Sequence, residues 1–186
     1  MNMQADSLVG YITGDSKRIF LNTALGCNSQ CAYCYLPSIG LPVGTNEMER
    51  QPADIIFEKV AQSGEVVLGK MGTTFSIGCF SECWDADNRI QTKQLIEYLT
   101  PLGNPIQLAT KRQIDTKEFE PLIFNIMWDG QVSVYLSCST ISKWKEYEYG
   151  TSPPNKRFQG FELIQKLGVP TFLYIKPVIN EITILD

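Results

Sequence analysis

The sequence predicts an α/β fold: a partial, open βα barrel with parallel strands. Three observations carry the prediction. Short apolar, β-rich runs alternate with amphipathic helical patterns along the chain; five such steps are too few to close an eight-stranded barrel; and no repeat, low-complexity tract or linker divides the 186 residues. One domain spanning 1–186 is the simplest organisation, and with 44% apolar residues the chain can build one sizeable core.

Strands are expected at 18–25, 73–80, 105–110, 131–137 and 170–175, with a helix in each interval. The first helix carries Pro52 and Asp54 in its first turn, a stripe of Ile56, Phe57, Val60 and Ala61, and Gly64 just past its end. A second begins near Asp87 or Asn88 and stops before Pro101, with Leu95, Ile96 and Leu99 inward. The third has the clearest pattern: Asp115 and Glu118 at capping-box spacing, then Phe119, Leu122, Ile123 and Ile126 at i, i+3, i+4 and i+7. The fourth follows the Ser-Pro-Pro turn at Ser152 and turns Phe158, Phe161, Ile164 and Leu167 inward before Gly168. In such a fold ligands gather at the carboxyl ends of the strands, so residues just after each strand are the first candidates for chemistry.

Composition excludes several classes. Sixteen Lys and Arg against 20 Asp and Glu give a net charge of −4, which leaves no broad basic field for nucleic acid, so any such contact is local. The longest apolar runs, such as 132–136 and 170–175, fall far short of the roughly 20 residues of a membrane helix, so no membrane partner is expected. The opening MNMQADSLVG has neither a basic segment nor an apolar signal core. A cytoplasmic location follows, with the six cysteines reduced rather than bridged. The chain has no histidine, which removes Ser-His-Asp and Cys-His catalysis and His-ligated zinc or haem. It stops at Asp186, soon after the fifth strand, an end that reads as a truncation.

Directly after the first strand stands CNSQCAYCY, with Cys27, Cys31, Cys34 and Tyr35. Three soft thiolates in one loop at the sheet's carboxyl edge suit three corners of an iron-sulfur cluster whose fourth iron stays open to a small ligand. A zinc site would need a fourth ligand from Cys79, Cys83 or Cys138, which keeps a non-catalytic zinc-binding module as the alternative of a different class. Trp84, Trp128 and Trp144 are expected to pack rather than to stack on a base.

The cysteine spacing, with an aromatic before the third cysteine, resembles the signature of the radical S-adenosylmethionine (SAM) enzymes. That resemblance implies a 4Fe-4S cluster, S-adenosylmethionine as cofactor and a small electron-transfer protein as reductant. Four segments are similar to the spore photoproduct lyase family: GCNSQCAYCYLPS from Gly26, GCFSECWD from Gly78, ATK from Ala109 and YEYGTSPPNKRF from Tyr147, where Tyr149 replaces a proline. Carried over position by position, the resemblance has Cys27, Cys31 and Cys34 hold the cluster, Tyr33 and Tyr35 flank the S-adenosylmethionine, and Lys111 pair with its carboxylate. Ser137 or Ser139 would hydrogen-bond the cofactor, and Lys176 would pass beside it. Cys79 would return a hydrogen atom to the product radical, with Cys83 and Cys138 as further candidates. The Gly-Gly-Glu turn that the radical SAM superfamily places after the second strand is missing, with residues 79–85 in its place, so Ser81 or Glu82 would contact the cofactor amino group instead. The activity implied is lyase-type repair of damaged DNA, and the enzyme alternative is hydrogen abstraction from a peptide or small metabolite.

Overall fold

The computed structural model describes residues 9–183. The opening segment read above, apart from its last two residues, and Asp186 lie outside the described residues. Six strands form one sheet in chain order: β1 (Ile12–Gly14), β2 (Arg18–Leu21), β3 (Thr74–Ile77), β4 (Ile106–Thr110), β5 (Val132–Ser137) and β6 (Thr171–Tyr174). All neighbours from β2 onward are parallel, in a register that sets Leu21 beside Ile77, Ile77 beside Leu108 and Leu108 beside Val134. A sequential order without reversal is that of a barrel wall rather than of a doubly wound sheet.

Each parallel crossover carries helix: α1 (Ala53–Ala61), α2 (Arg89–Leu99), α3 (Thr116–Phe119) and α4 (Pro154–Lys166). Alternation along the strands splits the sheet into two faces. Ile19, Leu21, Phe75, Ile77, Ile106, Leu108, Val132 and Val134 are buried against Ile56, Val60, Leu95, Leu99, Phe119 and Ile164 of the helices. The opposite face is polar and aromatic: Ser76 donates to Gln107 at 3.3 Å, Gln107 to the Tyr135 hydroxyl at 3.2 Å, and Tyr135 stacks on Phe172 with ring centroids 4.9 Å apart. Among the described residues no helix is long and apolar enough to cross a membrane.

Four expectations change. β1 was not foreseen; it turns back antiparallel onto β2 through Asp15, whose carboxylate accepts from the Lys17 and Arg18 amides at 2.8 and 3.1 Å. The strand expected at 18–25 breaks at Asn22, a buried side chain that accepts from the Phe80 amide at 2.7 Å, and Ala24–Leu25 pairs separately with Glu49–Arg50. The third helix is one turn rather than a long element. Pro121 has no N–H to donate and its ring crowds the preceding turn, so the chain tightens into a 3-10 segment, Glu120–Ile123, and Ile126 lies beyond it. Asp115 does cap that turn, at 2.9 Å from the Lys117 amide, whereas Glu118 pairs with Arg89 at 3.0 Å. In α4 the buried positions are Pro154, Arg157, Gly160 and Ile164, and Phe158 and Phe161 are only half-buried. A smaller difference is at α1, which ends on Gln62 rather than on Gly64.

Candidate functional site

β2 ends and the chain turns through Gly26, whose φ of 119° lies where side chains rarely fit; a Cβ there would also sit 2.8 Å from the Pro42 carbonyl. The loop that follows is tied down along its length. Gly26 donates to Phe80 at 3.0 Å, Cys27 donates to Pro42 at 2.9 Å, and Gln30–Cys31 pairs antiparallel with Glu148–Tyr149. Cys34 turns back onto the Cys31 carbonyl at 2.9 Å. All three cysteines are free and half-buried. Among the described residues no three Cys, Asp or Glu side chains are drawn into a metal-holding group, so the sulfurs share a loop without converging on one point.

The donor chemistry is that of a soft metal or iron-sulfur cluster, since three cysteines within one loop can supply three thiolates. Burial pushes the Cys31 thiol up to about 12, against the pull of Lys111, and burial followed by Glu82 raises Cys27. Thiols held neutral in this way become thiolates when a metal supplies compensating charge.

Beside the loop, at the carboxyl ends of β4 and β5, lies a charge cluster centred on Glu148, which is fully buried. One carboxylate oxygen accepts from Tyr33, from the Ser139 amide at 3.1 Å and from the Lys111 ammonium at 3.1 Å; the other accepts from Arg157 at 2.6 Å. Burial alone would raise the Glu148 carboxyl, but Lys111, Arg157 and Tyr33 outweigh it and hold it below its ordinary value. Lys111 also donates to Ser137 at 2.5 Å and lies 5.5 Å from the centre of the Tyr33 ring, and Ser139 donates to the Tyr33 hydroxyl at 3.1 Å. Four of the predicted residues, Tyr33, Lys111, Ser137 and Ser139, thus meet around a fifth that the sequence reading did not single out. Arg157 is likewise new: it donates to Ser152, Ser137, Glu148 and Thr151, all within 2.9 Å. A charged residue at a core position of an amphipathic helix, in step with Gly160 and Ile164, was the available signal.

Arg112 pairs with Asp85 at 3.0 Å and donates to Asn28 at 2.7 Å and to the Gly150 carbonyl, which locks the cysteine loop to the ends of β3 and β4. Asn28 closes the triangle by donating to Asp85. Beyond β3, Gly78 has φ 94°, and a Cβ there would meet Cys83 Sγ at 2.8 Å. That turn brings Cys79 to Tyr35, whose hydroxyl donates to the Cys79 carbonyl at 2.7 Å and lies 3.5 Å from its Sγ. Burial and then Cys79 raise the Tyr35 phenol.

Other predicted residues lie apart. No helix begins at Cys79, so Cys79 and Cys83 do not share a helical face: Cys79 is half-buried, and Cys83 is 1% exposed with its thiol on the Ala109 carbonyl. Cys138 is buried, its thiol on Thr140. Ser81 receives only a long 3.4 Å bond from Asn88, and Glu82 is spent on Thr110, the Lys111 amide and the Trp84 amide. Lys176 lies over its neighbour Tyr174, 5.7 Å from the ring centre. Trp84 is core, packed on Phe119, and Trp128 donates to Gly103 at 2.8 Å beneath the Lys70 ammonium. Trp144 is half-buried in a single turn, Trp144–Tyr147.

The sequential parallel sheet, with a three-cysteine loop after its first parallel strand, is an α/β arrangement that solved structures share. Spore photoproduct lyase in complex with dinucleoside spore photoproduct matches 86% of this chain at a TM-score of 0.59 and 20% identity. SuiB of Streptococcus suis bound to S-adenosylmethionine matches 84% at 0.60 and 14% identity. The fold of this chain is therefore the one seen in spore photoproduct lyase and SuiB. A sequence likeness of 31% over 80 residues, 38% of this chain, links it to the ribosomal protein uS12 methylthiotransferase RimO of Moorella thermoacetica. The chain spans 45% of the lyase structure, 33% of SuiB and 18% of RimO. No family model matches.

Proposed function

We propose that this chain is the core domain of a cytoplasmic radical SAM enzyme, with a 4Fe-4S cluster on Cys27, Cys31 and Cys34 and S-adenosylmethionine beside it. The observation that carries the reading is the adjacency of two features at one sheet edge: the three-cysteine loop, and the Lys111 ammonium held 3.1 Å from a buried carboxylate. When bound and reduced by a small electron-transfer protein, these cofactors supply a 5′-deoxyadenosyl radical that takes hydrogen from a substrate. The protein's part is to bind, orient and seal. Lys111 offers its charge to the methionyl carboxylate, and Tyr33, Ser137 and Ser139 form the polar wall around it. Ser81 and Lys176 are weaker contacts, because one faces Asn88 and the other its own strand.

For the substrate, the likeness to spore photoproduct lyase favours a DNA photolesion, which would have to leave the duplex to reach the site. In that reading Cys79 gives its S–H hydrogen atom to the product radical: a C–H bond forms, the S–H bond breaks, and the sulfur keeps the unpaired electron. Its place beside Tyr35 at the loop, half-buried rather than sealed like Cys83, supports this over the other thiols.

The test is anaerobic reconstitution with iron and sulfide, followed by dithionite and S-adenosylmethionine, with and without lesion-bearing DNA. Bound iron and sulfide with release of 5′-deoxyadenosine is the expected result. Bound zinc without sulfide would refute it, and turnover only with a peptide or small metabolite would move the substrate.

A further inference from the structure

We propose that Glu148 is a positioning residue of the cofactor site: its buried carboxylate, anchored from behind by Arg157, holds the Lys111 ammonium and the Tyr33 phenol where they meet S-adenosylmethionine. The inference rests on the cofactor reading above and adds to it a residue that touches no cofactor. Two facts carry it. Glu148 is bonded both to the cysteine loop, through Tyr33 and the Cys31 pairing, and to the end of β4, through Lys111. And its two oxygens are divided, one turned to Lys111, Tyr33 and the Ser139 amide, the other to Arg157.

The charges make sense of the division. A lone lysine on a flexible stem carries considerable rotamer freedom that a ligand must freeze. Pairing it with a buried carboxylate removes that freedom in advance, but would also cancel the charge meant for the ligand. Arg157, with a side chain fully covered and four acceptors within 2.9 Å, restores the balance. The three ionised groups together leave one net positive charge, and Lys111 is the exposed member of the set, 16% accessible against none for the other two. A fixed cation with a net charge of one is matched to a single carboxylate.

The test is a double-mutant cycle on the reconstituted chain, with S-adenosylmethionine affinity measured by titration and the acylation rate of Lys111 by acetic anhydride measured by mass spectrometry. Lys111→Ala should weaken binding roughly 10- to 150-fold, as for one charge-assisted bond, and Glu148→Gln on the order of tenfold. The Glu148→Gln/Lys111→Ala protein should bind no worse than Lys111→Ala, because Glu148 acts through the lysine. Lys111 should acylate severalfold faster in Glu148→Gln, since the ion pair that pins its ammonium at 3.1 Å is gone. Iron content should not change. If Glu148→Gln folds poorly, Glu148→Met/Arg157→Met removes the pair, leaves no fully buried charge, frees Lys111 in the same way and carries the same expectations. Additive affinity losses, or an unchanged acylation rate, overturn the proposal alone. Should Lys111→Ala bind normally, the cofactor reading of Lys111 itself falls, and the proposal with it.

Discussion

Arg157→Ala tests whether the buried ion pair holds this end of the fold together. The guanidinium is fully covered and bonds the Glu148 carboxylate at 2.6 Å, the Thr151 hydroxyl at 2.6 Å, and the carbonyls of Ser152 and Ser137 at 2.6 and 2.9 Å. Removing one partner of a buried pair costs about 3–5 kcal/mol, because the other charge stays behind. Two carbonyls left short of a donor add about 1 kcal/mol each. The sum approaches the whole stability of an ordinary domain, about 5–15 kcal/mol. Urea titration followed by far-UV circular dichroism should show a collapse of the midpoint or a chain already unfolded in buffer. Arg157→Met/Glu148→Met should recover most of the loss, since apolar groups of similar volume replace the fully buried pair and the Lys111 ammonium left without a counter-ion reaches solvent. A loss below about 1 kcal/mol for Arg157→Ala at unchanged slope would refute the reasoning, and would mean that water reaches Glu148.

The remaining expectations are quickly stated. Replacing Cys27, Cys31 or Cys34 by Ala should abolish both bound iron and cofactor cleavage; a Cys31→Ala protein with full iron would remove the assignment. Lys111→Ala should keep the cluster while losing about 1.5–3 kcal/mol of S-adenosylmethionine affinity, read by direct titration. Cys79→Ala should retain cofactor cleavage but yield altered adducts, and normal product at the normal rate would place the hydrogen donor elsewhere. Glu148 sits below its ordinary value of 4.5, so its contribution to stability is complete above that pH and drains away as the pH falls through the lowered folded value. Urea midpoints measured downward from about pH 6 should therefore drop in the acid range, and Glu148→Gln should flatten that part of the slope.

The cysteine loop was legible because its signal is local: three thiols and two tyrosines within nine residues, directly after an apolar run. The four parallel crossovers were legible for the same reason, since each depends on periodicity within one segment. β1 escaped because three residues ending in glycine carry no usable alternation. The third helix misled because its apolar spacing was sound and only Pro121 overrode it. Glu148 and Arg157 escaped for a different reason. The buried carboxylate is recognisable only once its partners are known, and they come from residues 33, 111, 139 and 157. The helical stripe of α4 was read by its phenylalanines, while the arginine on the same element took the covered position.

The tethering of the cysteine loop also dictates an order of assembly. The three thiols are synthesised before the segments that hold them: the strand that pairs with Gln30–Cys31 is Glu148–Tyr149, and the side chains gripping Asn28 are Asp85 and Arg112. Until Glu148–Tyr149 has been made, the cysteines are present without the walls that shape them. Contacts of this sequence separation form late and slowly, because the closure entropy of the long loop must be met before the pairing rewards it. Metal delivered to the nascent chain would find three loose thiols able to take up whatever soft cation is at hand. On the cluster reading proposed above, selectivity for the inorganic partner would belong to the completed sheet, with loading after folding rather than guiding it.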